Sequence, residues 1–194
     1  NKDVIGLVSL IDEPRDASKM VIAELKNLGI TKLAMLTGDN NRVAQSIGKD
    51  LGLTEIYGSL LPEDKLNIID KLVSEYSEVA MIGDGTNDAP AMAHSSVGIA
   101  MGAAGSDVAL ETADVALLSD KIENLPFVVG LGRKSKQIIK QNLFISLGTI
   151  FFLIPSAIFG LTNMGLTVFI HEGSTVLVVF NALRLLKYKN KIKF

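Results

Sequence analysis

Two short loops concentrate carboxylates among glycines: Thr37-Gly38-Asp39, and Gly83-Asp84-Gly85-Thr86-Asn87-Asp88. Glycine lets backbone come close to a ligand and permits the positive φ angles of tight turns. Carboxylates on such loops suit Mg²⁺, a hard cation that takes oxygen ligands and commonly shares them with phosphate. Lys65, three residues after Pro62, offers a compact positive charge for the same phosphate. For the Thr37 loop by itself an ordinary turn and a site stand equally open. In the second loop two acids, an Asn and two Gly fall within six residues, which makes a plain turn the weaker reading. A third constellation is His171-Glu172, set in an otherwise apolar stretch. Imidazole beside carboxylate suits borderline metals such as Zn²⁺ and Co²⁺, and the bland alternative is a polar pair satisfied by neighbouring helices.

The elements that must position these groups follow from periodicity. Val4–Leu10 reads as a buried strand, and Asp16 precedes an amphipathic helix with Met20, Val21, Leu25 and Leu28 on one face and Gly29 as its stop. Leu33–Leu36 is a second strand running into Thr37. Asn40 or Asn41 caps a helix to about Leu51, which Gly52 ends. Pro62 opens a further helix with Leu66, Ile69 and Leu72 in register. Val79–Ile82 is a strand running into Gly83, and Val97–Met101 and Val115–Leu118 complete the set. This alternation predicts an α/β fold with a parallel sheet covered by helices. Both Asp-bearing loops then lie beyond the carboxyl ends of strands, where open parallel sheets bind ligands.

The chain divides sharply by charge. Asn1–Pro126 carries 10 Lys/Arg against 20 Asp/Glu, whereas Phe127–Phe194 carries nine Lys/Arg against one acid, Glu172. A uniform globule is excluded. Leu143–Leu161 is 19 residues without a charge, and Met164–Leu183 is 20 residues whose only ionisable groups are His171 and Glu172. Each is long enough to cross a hydrocarbon core of about 30 Å as a helix. An ionisable group at that depth costs roughly 2.5–3.5 kcal/mol on insertion scales for Asp, Lys and Arg, so it marks a functional site by default. Gly173, Ser174 and Thr175 allow close helix approach. Arg133, Lys134, Lys136 and Lys140 precede the pair and Arg184, Lys187, Lys189, Lys191 and Lys193 follow it, which places both ends on the cytoplasmic side. The basic tail beside a span anchors at anionic headgroups more simply than it binds nucleic acid. With no cysteine, disulfides and thiolate metal ligands are excluded within these 194 residues. The first residue is Asn rather than Met and no basic-then-apolar leader follows, a pattern expected of a fragment or processed product.

Gly83-Asp84-Gly85-Thr86-Asn87-Asp88-Ala89-Pro90, with Thr37-Gly38-Asp39 upstream and Leu61-Pro62-Glu63-Asp64-Lys65 between them, resembles the phosphorylation domain of a P-type ATPase, in the haloacid-dehalogenase-like superfamily. V-G-I-A-M-G at Val97–Gly102, then Asp107 through Asp114 and Gln141-Asn142, continue the likeness over essentially the whole chain. The resemblance implies that Thr37, Gly38 and Asp39 contact the phosphoryl group and its surroundings and that Lys65 neutralises phosphate oxygens. It further implies that Asp84 binds Mg²⁺, with Asn87 and Asp88 completing the phosphate and magnesium environment. The family's phosphorylated aspartate sits in D-K-T-G-T, which does not occur here, nor do a nucleotide domain or a T-G-E loop. The resemblance therefore implies the C-terminal portion of a pump whose ATP is bound mainly by regions outside this sequence. Its partner is the missing N-terminal portion, and the isolated chain is expected to be inactive.

His171-Glu172-Gly173-Ser174-Thr175, with V-F-N-A-L-R-L-L at Val179–Leu186, resembles the last span of the heavy-metal branch, in the subgroup associated with cobalt, zinc, cadmium or ferrous iron. The transported divalent metal would meet His171 and Glu172. Copper exporters would carry Met and Ser there, and the zinc/cadmium/lead exporters an Asp before a Gly. The subgroup's Ser-Pro-Cys motif is not matched; Pro155 sits in I-P-S and kinks its helix at most. The expected organisation is residues 1–126 as the C-terminal part of a cytoplasmic phosphorylation domain, 127–142 as a basic linker helix, and 143–194 as two spans with a basic tail. Residues 1–142 and 184–194 are then cytoplasmic and the protein a multi-pass cell-membrane protein. The competing readings are a membrane-tethered haloacid-dehalogenase-like phosphatase and a copper-type pump. His94 is expected to have a surface or packing role.

Overall fold

The computed structural model describes residues 17–83, 87–102, 111–117 and 121–189. The expected Val4–Leu10 strand, Asp16, the Asp84-Gly85-Thr86 segment and Asp107 lie outside the described residues. The chain forms two compact units, Asn1–Leu125 and Pro126–Phe194.

The first unit alternates helix and strand. In order it contains α1 (Ala17–Asn27), β1 (Ala34–Leu36), α2 (Asn41–Leu51), β2 (Glu55–Tyr57), α3 (Pro62–Tyr76), β3 (Ala80–Gly83), α4 (Ala89–His94), β4 (Val97–Met101) and β5 (Val115–Leu117). β1 pairs with β2, and β3 with β4 with β5, every pair parallel, in two separate sheets among the described residues. Local chemistry sets the boundaries. The Asn40 side chain accepts from the Arg42 N–H at 2.9 Å to start α2. Gly52, at φ 73°, ends that helix in an ordinary left-handed stop. Pro62 opens α3, and the Asp64 carboxylate reaches back to the Leu61 N–H at 2.9 Å. β2 has no counterpart in the hydropathy pattern; it forms because Leu33 and Thr54 exchange hydrogen bonds just before both strands begin.

The core lies under β3 and β4. Ile69 and Leu72 of α3, Met81 of β3, Ala89, Ala91 and Met92 of α4 and Ala100 of β4 form one buried cluster. Leu36, at the end of β1, packs against it. Gly98 lets α4 lie close, because a Cβ there would stand 3.2 Å from the Met92 carbonyl oxygen. Each large apolar side chain in this cluster contributes about 1.5–3 kcal/mol by burial.

The second unit is a helical pair. α5 (Leu125–Ile158) runs 34 residues through Pro155, and α6 (Met164–Leu183) runs 20, followed by a 3₁₀ turn at Arg184–Lys187. At about 1.5 Å per residue they are about 50 and 30 Å long. A short turn joins them. Gly160, at φ 67°, closes α5 together with the bond of 2.8 Å from the Leu161 N–H to the Ser156 carbonyl. The Asn163 side chain then caps α6 by accepting from the Leu166 N–H at 2.8 Å. Both helices are long and apolar enough to cross a membrane, and only 6% of the apolar 18-residue window of each is buried within the chain. A core helix of a water-soluble domain would be covered. Here Phe144 is 81%, Phe151 74% and Phe169 75% exposed.

Candidate functional site

The Thr37 loop leaves the carboxyl end of β1 and is held by its own side chains. The Thr37 hydroxyl donates to Asp39 Oδ2 at 2.8 Å while its oxygen accepts from the Asp39 N–H at 3.1 Å. The segment after β2 clamps the loop from the other side. Ser59 N–H donates to the Asp39 carbonyl at 2.6 Å, Leu60 N–H to the Thr37 carbonyl at 3.1 Å, and Ser59 Oγ accepts from the Asn41 N–H at 3.1 Å. Ser59 is left-handed, at φ 56°. A non-glycine residue keeps that conformation only when its surroundings hold it. Gly58 is needed beside it, because a Cβ there would lie 2.7 Å from Asn41 Cα. Asp39 itself is exposed, so its free carboxylate oxygen faces solvent beyond the strand end.

Leu61 leads from this clamp into α3, whose first turn carries Lys65. Lys65 Nζ donates to Asp88 Oδ1 at 2.7 Å, and only 17% of the lysine side chain and 14% of the aspartate side chain are exposed. Asp88 sits at the start of α4, and its carbonyl accepts from the Met92 N–H at 2.8 Å. Gly83, the last residue of β3, makes this placement sterically possible: a Cβ there would stand 2.6 Å from Asp88 Cβ and 3.1 Å from Asp88 Oδ2. The Thr37 loop, the Ser59 segment, the first turn of α3 and Asp88 thus form one bonded sequence of contacts at the strand ends. Asn87 is exposed beside Asp88. Asp84 lies outside the described residues. Asp88 offers one oxygen not engaged by Lys65, which fits part of an octahedral oxygen set for Mg²⁺; phosphate, water and Asp84 would have to supply the rest. Among the described residues no group of three or more His, Cys, Asp or Glu side chains gathers to hold a metal.

A second hydrogen-bonded group of ionisable side chains lies on β2 and beside it. The Tyr57 hydroxyl donates to Glu55 Oε2 at 2.7 Å and Lys32 Nζ to Glu55 Oε1 at 3.2 Å. Tyr57 chiefly, with Lys32, holds the Glu55 carboxyl below the ordinary carboxylate range, and Glu55 pushes the Tyr57 phenol up to about 12. His94 pairs with Asp70 at 3.0 Å on the surface, both half exposed, in keeping with its expected surface role.

In the second unit, His171 and Glu172 are both exposed on α6. Adjacent helical residues diverge by about 100° and do not face each other. The half-buried positions Thr167, Ser174, Val178, Asn181 and Leu185 form one face, and its Asn181 bonds to α5. His171 falls on that face between Thr167 and Ser174, whereas Glu172 falls on the outward face with Val176 and Val179, each 52% exposed. Neighbourhood in sequence therefore does not make these two a chelate; two directions of approach are needed. The His171 carbonyl accepts the Ser174 hydroxyl at 2.7 Å, a local satisfaction of a polar group suited to an apolar solvent. The bond from Asn181 Nδ2 to Asn142 Oδ1 (2.8 Å) and the contact of Gly83 with Asp88 were not apparent from residue pattern, although all four residues fall in stretches that carry the resemblance.

The haloacid dehalogenase-like hydrolase family matches residues 1–95. The cadmium-transporting ATPase of Staphylococcus aureus is 47% identical over 190 residues, covering 98% of this chain and 26% of that protein. The zinc-transporting ATPase of Bacillus subtilis (strain 168) is 46% identical over 184 residues, covering 95% and 29% respectively. The crystal structure of a zinc-transporting PIB-type ATPase in the E2.Pi state superposes with a TM-score of 0.85 at 43% identity, over 96% of this chain and 30% of that one. The chain thus spans about a quarter of the length of the curated relatives it matches. Because the likeness runs through the strand-end loops and both apolar helices alike, the chain belongs to the PIB branch of the P-type ATPases, of which it is a C-terminal portion.

Proposed function

We propose that this chain is the part of an ATP-driven pump that completes the phosphoryl-transfer site and supplies two membrane spans for a divalent cation of the zinc, cadmium, cobalt or ferrous iron class. The observation that carries the reading is the Lys65–Asp88 pair, 2.7 Å and mostly buried at the end of β3, in a chain that also carries two membrane-length helices. Transfer of a phosphoryl group asks for positioning and charge stabilisation more than for covalent chemistry from the surroundings. Thr37, Gly38 and Asp39 orient the group from the β1 side. Lys65, whose ammonium already donates to Asp88, offers its remaining N–H groups to phosphate oxygens. Asp88 and Asn87, with Asp84, hold the magnesium shell. Held by these side chains, Mg²⁺ would supply positive charge against the phosphate. The acceptor aspartate and most of the ATP site belong to other parts of the protein. His171 and Glu172 bind the cargo at bilayer depth from two sides, His171 along the α5–α6 face and Glu172 toward helices of the rest of the pump. The basic residues flanking the spans set both chain ends in the cytoplasm of a multi-pass cell-membrane protein.

The test uses the whole pump. Lys65→Ala or Asp88→Ala lowers phosphoenzyme formation from ATP by about 100-fold, the scale of losing one preorganised charge contact. His171→Ala and Glu172→Ala lower metal-stimulated turnover while nucleotide binding persists. Phosphoenzyme levels unchanged by Lys65→Ala would remove that residue from the site, and unchanged metal dependence would remove His171 and Glu172.

A further inference from the structure

We infer that the groove at the basic end of the α5–α6 pair is a site for the headgroup of an anionic phospholipid. The inference rests on the proposal that these two helices span a bilayer. The groove is open, about 480 Å³, and its lining is graded along the helix axis. Lys140 and Arg184 stand at one end, Gln141 and Asn181 in the middle, and Phe144 and Ile145 at the other. The cations sit just outside the uncharged stretches that begin at Leu143 and end at Leu183, which is headgroup depth. Phe144, 81% exposed, begins the wall along which an acyl chain lies.

The polar middle is built rather than incidental. Asn181 Nδ2 donates to Asn142 Oδ1 at 2.8 Å and to Gln141 Oε1 at 3.2 Å, and Arg184 Nη1 donates to Asn181 Oδ1 at 2.7 Å. This chain of bonds fixes one N–H of Arg184 and leaves the rest of its guanidinium fork available at the groove. Charge complementarity selects the occupant. Among the described residues neither Lys140 nor Arg184 has a carboxylate at ion-pair distance. The unit's only acidic side chain, Glu172, lies 12 residues before Arg184, about 18 Å along a helix. A phosphodiester satisfies two cations and amide donors at once, and paired basic groups between helices at the cytoplasmic side are suited to such headgroups.

The chain contains no Trp, so Phe144→Trp places a unique fluorophore in the groove. The full 194-residue chain with this reporter is reconstituted in phosphatidylcholine vesicles carrying equal small fractions of brominated phosphatidylglycerol or brominated phosphatidylcholine. The expected result is stronger quenching by the brominated phosphatidylglycerol, reflecting roughly fivefold local enrichment per cation. Lys140→Gln with Arg184→Gln abolishes that preference, whereas Lys136→Gln with Lys187→Gln, which removes equal charge elsewhere, preserves it. Lys140→Gln alone repeats the comparison should the double variant lose helicity. Equal quenching by both lipids, or equal loss in both double variants, overturns the site while leaving the spans in place. Absence of quenching by either lipid overturns the membrane reading and the site with it. In the whole pump, native mass spectrometry is expected to show phosphatidylglycerol retained after detergent exchange; no retention above the Lys140→Gln/Arg184→Gln variant gives the groove to another segment of the same protein and overturns the lipid.

Discussion

The two units solve the same problem in opposite directions. In the first, polar loops face outward and Met92, Ile69 and Ala100 are packed inside, at 1%, 2% and 0% exposure. In the second, the large side chains point out, and the hydroxyls turn back onto their own helix: Thr149 onto the Ile145 carbonyl and Ser156 onto that of Phe152, each at 2.8 Å. Among the described residues neither unit leaves a buried side-chain nitrogen or oxygen without a hydrogen-bond partner. What differs is the solvent each expects, water around the first and hydrocarbon around the second. The lesson is that exposure alone does not identify a liability; an exposed Phe is a fault in one unit and a fitted surface in the other.

That contrast can be broken by experiment, beginning where the effect is largest. Met92→Ala empties the centre of the first core and is expected to destabilise that unit by about 2–5 kcal/mol in denaturant titration, while truncating Phe169 in detergent leaves that same transition unmoved. A shift from Phe169→Ala comparable to that of Met92 would mean that the apolar faces are interior after all. Gly83→Ala comes next. The added methyl meets Asp88 Cβ within van der Waals distance, so a loss of about 1–3 kcal/mol is expected. In the whole pump it should also weaken phosphoenzyme formation, whereas Gly148→Ala, with open space around it, changes neither.

Smaller effects sharpen the comparison. Asn181→Ala removes the amide that joins α6 to Gln141 and Asn142, and a loss of about 0.6–1.7 kcal/mol in helix association is expected, the range for such bonds in bilayers. Tyr57→Phe is the mildest, about 0.5–1 kcal/mol at neutral pH, near the low end because the pair is partly exposed. Its pH dependence has a defined sign. Glu55, whose folded carboxyl titrates low, stabilises the fold above its unfolded pKa and loses that stabilisation as pH falls through its lowered folded value. Tyr57, pushed up to about 12, stabilises below its ordinary value near 10 and loses that contribution as pH rises from there to about 12. The gap between parent and Tyr57→Phe should therefore narrow at both extremes. A constant gap across the range would detach the hydrogen bond from the stability.

Much of the framework was legible because it depends on neighbours in sequence. Asn40 before α2, Gly52 after it and Pro62 at the start of α3 act within one helical turn, so their positions are readable from residue type. The α/β alternation and the two long apolar helices were readable for the same reason. β2 was not, since three residues including Glu55 show no period, and its formation depends on Leu33 bonding to Thr54 across 21 positions. The clamp on the Thr37 loop was hidden too, because Ser59 is left-handed for reasons supplied by Asp39 and Asn41 rather than by its own side chain.

By itself the sequence determined the charge division, the paired membrane-length helices and the carboxylate-bearing turns after the strands, since each follows from composition or short-range periodicity. Only the tertiary structure decided that Lys65 meets Asp88, that Gly83 must lack a side chain to allow it, and that the α6 face bearing Asn181 is the one that meets α5. The physical reason is distance along the chain: contacts separated by tens of residues exist only once the backbone has folded.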